Sequence, residues 1–92
     1  MIVGSYTEEL ELLDDVATVD CYDLVVFNDE HNTFEHVIDT LIKVCKHTFM
    51  QAEQCTLLIH HKGKCKVKSG EYEQLSTMRT AICDRGIMAE VL

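Results

Sequence analysis

Proline and tryptophan are absent from this 92-residue chain, and positive charge is scarce: 8 lysines and arginines face 16 acids, leaving a formal net charge of -8. The missing positive charge excludes a phosphate backbone as the main partner, because the field of the whole molecule repels it, so no nucleic acid is expected. A cationic ligand is electrostatically more welcome. Lys64, Lys66 and Lys68 do not reverse this, since lysines alternating with Cys65 and Val67 read as the solvated face of a strand. Long apolar runs are lacking too. None approaches ~18 residues, so no membrane partner is expected, and Met1-Ile2-Val3-Gly4 lacks the basic stretch that opens a signal peptide. The 5 cysteines are odd in number, contain no Cys-x-x-Cys pair and fall mostly on apolar positions of helical patterns. That is the usage of reduced thiols in a soluble cytoplasmic protein. Cys55, His60, His61 and Cys65 lie close together without a zinc spacing, and no catalytic cysteine signature accompanies the histidines. Neither a metal, a cofactor nor an enzymatic reaction is expected. The lack of proline carries no functional reading.

Hydrophobic residues make up 47% of the chain, enough for one small domain with a modest core. The chain divides near Tyr22. Residues 1–22 form an expected acidic extension, because Glu8-Glu9-Leu10-Glu11-Leu12-Leu13-Asp14-Asp15 has little apolar surface with which to anchor a helix. Residues 23–92 carry the periodic patterns of the domain. Leu24 to Phe27 is apolar and β-branched, as a central strand requires, and Asn28 to Thr33 connects it to a helix. That helix places Phe34, Val37, Ile38, Leu41, Ile42 and Cys45 on one face, with Asn32 and Glu35 as expected N-cap and reciprocal partner. Thr48 and Gln51 repeat the capping pattern for a second helix, which Gly63 ends. Lys64 to Lys68 alternates as a half-exposed strand, and Ser69-Gly70 breaks it. A third helix turns Tyr72, Leu75, Met78 and Ile82 inward and stops at Gly86; Ile87, Ala89 and Val91 then alternate through a last strand. The order β-α-α-β-α-β predicts an α+β fold, a small α/β sandwich with the helices on one face of a three-stranded, mainly antiparallel sheet.

Chemistry concentrates at the first strand-to-helix junction, Asn28-Asp29-Glu30-His31, where an amide, two carboxylates and an imidazole sit beside unpaired helix N–H groups. His60, near the end of the second helix, is a further polar group. Taken singly these have ordinary explanations: Asn28 and Asp29 suit a turn, His60 suits a helix C-terminus, and Phe34, Val37 and Ile59 suit a core. Taken together they can bind something small and charged, and a cation carrying several donors needs acceptors at fixed angles. Asn28 Oδ1 and a neutral His60 are such acceptors, so acidification should weaken binding. Thr56, Ile59 and His60 share one face of the second helix, and Phe34 and Val37 one face of the first.

Phe27-Asn28-Asp29-Glu30 before a helix, Val37-Ile38 within it, and Gln54-Cys55-Thr56-Leu57-Leu58-Ile59-His60-His61-Lys62-Gly63-Lys64 resemble the ClpS adaptor family, the Clp protease adaptor proteins. The asparagine-aspartate pair and the histidine-x-x-glycine-lysine segment carry most of the resemblance, which spans Leu24 to the C-terminus. It implies an adaptor that recognises N-degrons, proteins beginning with a large hydrophobic or aromatic residue, and hands them to a Clp-type AAA+ unfoldase. It also implies that Asn28, Asp29, Glu30 and His60 hold the substrate amine, and that Asn32, Phe34, Val37, Thr56 and Ile59 line the pocket, closed by Ile87. Three positions depart from the family pattern. Glu30 replaces the usual aspartate, which acts on the ammonium through water, and Phe34 and Thr56 stand where methionines are common. Pocket volume is thereby redistributed, and a buried Thr56 hydroxyl would favour tyrosine over phenylalanine. For unfoldase docking the resemblance points to Arg79 if the loop at Ser69-Gly70 is one residue short, and to Met78 otherwise. Two other readings stay open: a docking module like the C-terminal domain of the ribosomal stalk protein, and a divergent paralogue that modulates the unfoldase without reading N-termini.

Overall fold

A computed structural model describes residues 21–92. The expected acidic extension at 1–22 lies outside these residues except for its last two, and Tyr22 already belongs to the first strand. The elements are β1 (Tyr22–Phe27), α1 (Phe34–Cys45), α2 (Phe49–Lys62), β2 (Lys64–Gly70), α3 (Tyr72–Asp84) and β3 (Ala89–Val91), the order read from the sequence. The sheet runs β2-β1-β3, with both neighbours antiparallel to β1.

The most apolar strand takes the centre because it alone can bury residues between two partners and a helical layer. Leu24 and Val26 are 0% and 1% exposed and meet Val67 and Ala89 in the same core. Leu41, Leu75 and Ile82 come down onto them from the helices, each at 1% exposure or less. Full burial of each such side chain is worth roughly 1.5–3 kcal/mol, so this cluster dominates the stability of so small a domain. The lysine-bearing β2 sits at an edge, where an alternating charged strand is tolerated and resists further pairing.

Local chemistry sets the helix ends. Thr48 and Gln51 form the reciprocal capping box, and Gly63, at φ 94°, closes α2 with its N–H on the Ile59 carbonyl. At α1 the cap is Thr33, not Asn32: Thr33 Oγ1 accepts from the His36 N–H, while the Asn32 side chain is engaged elsewhere. Two other expectations are corrected. Tyr72, the first residue of α3, is 54% exposed and stacks edge-on against Tyr22 with ring centroids 5.3 Å apart, so it does not enter the core. β2 also runs through Ser69 and Gly70 instead of breaking there, because β1 extends back to Tyr22 and pairs with Gly70.

Candidate functional site

Hydrogen bonds at the ends of β1 and α2 bring the two polar places of the sequence together. The Asn28 N–H donates to the Gly63 carbonyl at 2.9 Å, so the loop leaving β1 starts beside the C-cap of the helix that carries His60. Asn28, Asp29, Glu30, Asn32, Phe34, Val37, Thr56, Ile59 and His60 then line one cavity of about 280 Å³. Phe34 and His60 face each other edge-on across it, with ring centroids 6.4 Å apart and planes at 81°. Val37, Thr56 and Ile59 are buried at its apolar side, whereas Asn28, Glu30 and His60 are exposed at its rim.

Asp29 is the organiser of the loop. Its Oδ1 accepts from the His31 N–H at 2.8 Å and the Asn32 N–H at 3.1 Å, and Asn32 Nδ2 donates to both carboxylate oxygens. The His31 hydrogen bond is the strongest influence holding the Asp29 carboxyl below its ordinary 3.8; burial opposes it and the Asn32 bonds reinforce it. A carboxylate stays fixed here, contributing a permanent negative charge next to the cavity. Asn32 Nδ2 also reaches the Gly86 carbonyl at 2.9 Å, bolting the loop to the α3–β3 connection. That connection is held from α1 as well, through His36 Nε2 and the Arg85 carbonyl at 2.8 Å and through Arg85 Nε donating to Thr40 Oγ1 at 2.7 Å. Among the described residues, no side-chain hydrogen bond occupies Asn28, Glu30 or His60, which leaves their acceptors open at the rim.

Ile87, given to the pocket by the resemblance, is not among the residues that line the cavity, and Arg79, expected at a separate docking surface, lies away from it. Ile87 precedes β3 and is 3% exposed within the main core. Its alternation with Ala89 and Val91 is a core pattern. Arg79 Nε donates to the Ala89 carbonyl at 3.0 Å, anchoring the side chain along β3. One lining residue escaped the sequence reading: Thr33, whose place at the mouth follows from its being the N-cap. An apolar hollow with open oxygen and nitrogen acceptors and a fixed carboxylate at its rim can seat a cation whose body is hydrophobic.

The family model described as ATP-dependent Clp protease adaptor protein ClpS matches residues 17–89. The chain belongs to the ClpS family. The structure of Agrobacterium tumefaciens ClpS2 bound to L-phenylalaninamide superimposes with a TM-score of 0.77 at 19% identity, over 79% of this chain and 95% of that one, which shows the shared ClpS fold. A 67-residue stretch, 73% of this chain, is 31% identical to the E3 ubiquitin-protein ligase UBR1 of Drosophila melanogaster, and spans 4% of that much longer protein. Among the described residues, no helix of this ClpS-family chain is long and apolar enough to cross a membrane. Nor does any group of three or more His, Cys, Asp and Glu among them form a metal-binding arrangement.

Proposed function

We propose that the protein is an adaptor that binds substrates through an exposed N-terminal Leu, Phe, Tyr or Trp and delivers them to a Clp-type AAA+ unfoldase, performing no chemistry itself. The observation that carries this reading is the single cavity in which Asn28 and His60, 32 positions apart in sequence, stand at the rim of a hollow walled by Val37, Thr56 and Ile59. The ammonium donates to Asn28 Oδ1 and to a ring nitrogen of His60, Glu30 and Asp29 supply the negative field, and the first side chain fills the hollow. Asp29 acts by shaping the loop, since its oxygens already accept four hydrogen bonds. Membership of the ClpS family and the likeness to a protein whose structure holds L-phenylalaninamide support the same reading. Arg79, an exposed residue of α3 whose Nε donates to the Ala89 carbonyl of β3, is the proposed contact to the unfoldase.

The similarity to UBR1 favours a second destination for the same cargo: a ubiquitin-transferring machinery in place of an unfoldase. Two measurements test the pair of proposals. Calorimetric titration with L-phenylalaninamide should show binding that His60→Ala weakens with little loss of folding, by about 1–3 kcal/mol, the scale for deleting one partner of a charged group. A Leu-initiated reporter should then be degraded faster by a reconstituted Clp unfoldase and protease when the adaptor is added. Binding without accelerated degradation would move the assignment to the second destination, and absence of amide binding would leave a docking module that does not read N-termini.

A further inference from the structure

Phe34 separates two hollows. On one side lies the cavity at the loop; on the other an open groove of about 440 Å³ runs along the seam between α1 and α2. Ile38, Ile42 and Phe49 form its apolar floor, and Glu35, Asp39 and Glu53 stand along it. Phe49 leaves 59% of its surface exposed there. Asp39 is neutralised by Arg85 at 2.8 Å and Lys43 at 3.3 Å, whereas Glu35 and Glu53 enter no ion pair among the described residues. The seam is thus apolar at the bottom and negative at the edge. Two other hollows, one at His47 and Cys55 and one between Tyr22 and Tyr72, share no lining residue with the loop cavity.

We propose that this seam is a second subsite, which receives the third to fifth residues of a bound peptide and selects apolar and basic side chains over acidic ones. The inference rests on reading the loop cavity as the place where the N-terminus is held. Its dimensions follow from the helix: Phe34 to Ile42 is eight residues, about 12 Å at the α-helical rise, which an extended chain covers in about four residues. The second residue crosses Phe34 and the next three lie over Ile38, Ile42 and Phe49. Lysine and arginine suit this floor because their aliphatic stems cover apolar surface while their heads reach carboxylates, here Glu35 and Glu53. The chain's own segment Glu8-Glu9-Leu10-Glu11 is unsuited to the seam, since it would set carboxylate against carboxylate, and a second copy carries the same -8 charge.

The test is fluorescence anisotropy competition with L-phenylalaninamide and two pentapeptides, Phe-Gly-Lys-Leu-Lys and Phe-Gly-Glu-Leu-Glu, which share their first two residues. The lysine peptide should bind roughly three- to tenfold more tightly at low salt, the scale of two exposed ion pairs, and the gap should narrow as salt screens them. In the double variant Glu35→Gln, Glu53→Gln the gap should close while the affinity for L-phenylalaninamide stays within about twofold, since neither residue lines the loop cavity. Equal affinities for the two peptides, or a gap that survives in the variant, would overturn the subsite while amide binding still upheld the N-terminus site. Loss of all binding, the amide included, would overturn both.

Discussion

Asn32 and Asp29 are joined side chain to side chain, with Nδ2 2.7 Å from Oδ2 and 3.0 Å from Oδ1. Because the same amide reaches the Gly86 carbonyl at 2.9 Å, one residue fixes the shape of the loop and ties it to the far end of α3. Asn32→Ala should therefore cost about 1–2 kcal/mol of stability, the scale for leaving such partners unsatisfied, and weaken amide binding as well. Urea denaturation alongside titration with L-phenylalaninamide measures both. Unchanged binding in this variant would show that the loop needs no such anchor.

The hydrogen bonds that lower the Asp29 carboxyl also give the fold an acid limb. The folded state favours the carboxylate, so the unfolded chain takes up its proton first as pH falls from the ordinary 3.8 towards the lower folded value. Stability from this group is complete above that range and lost through it. Asp29→Asn should flatten the fall of unfolding free energy below about pH 4. Denaturant melts followed by circular dichroism from pH 6 to pH 2.5 would show it, and identical acid limbs in the two proteins would contradict it.

Thr56 bears on substrate choice. Its Oγ1 donates to the Ala52 carbonyl at 2.7 Å, so towards the cavity the hydroxyl can only accept. A tyrosine hydroxyl is a donor. Tyr-initiated peptides should bind more tightly than Phe-initiated ones by about 0.5–1.5 kcal/mol, the net value of one hydrogen bond, and Thr56→Val should abolish the difference. Equal affinities for the wild-type protein would remove Thr56 from the selection.

Burial raises the Cys65 thiol to about 12, helped by its neighbour Cys55, and raises Cys45 to about 11 against the opposing charge of Lys68. Both stay protonated at neutral pH, and only the thiolate is nucleophilic. In the folded protein at pH 8, iodoacetamide should modify these two cysteines at least about tenfold more slowly than in the denatured chain, because folding lifts both thiols from the ordinary 9.0 and lowers their thiolate fractions. Peptide mapping by mass spectrometry reads the two rates. Comparable rates would mean that the thiols are not held as described.

Periodicity and capping chemistry were enough to order the elements, since Leu24 to Phe27, the Phe34 face of α1 and the Thr48–Gln51 box are local signals. Long-range partners were not legible. Asn32 and Thr33 are equally good N-caps on paper, and what decides between them is a carbonyl 54 positions away that claims the Asn32 amide. Tyr72 fits the α3 apolar stripe, yet Tyr22 offers it an edge-on contact outside the core. Ile87, given to the pocket by the family resemblance, packs within the core, and an alternating pattern distinguishes inside from outside but not a core wall from a pocket wall. The polar half of the site was readable from residue type, and its apolar half only through the family resemblance.

Whether this cavity reads a free N-terminus is decided by fluorescence anisotropy with one Phe-initiated peptide in two forms, with its amine free and with it acetylated. Acetylation removes the charge and two of the three donors while leaving the first side chain intact. The free peptide should bind and the acetylated one should bind at least about tenfold more weakly, the loss expected for hydrogen bonds to a charged group. Equal affinity of the two forms would contradict this reading of the cavity.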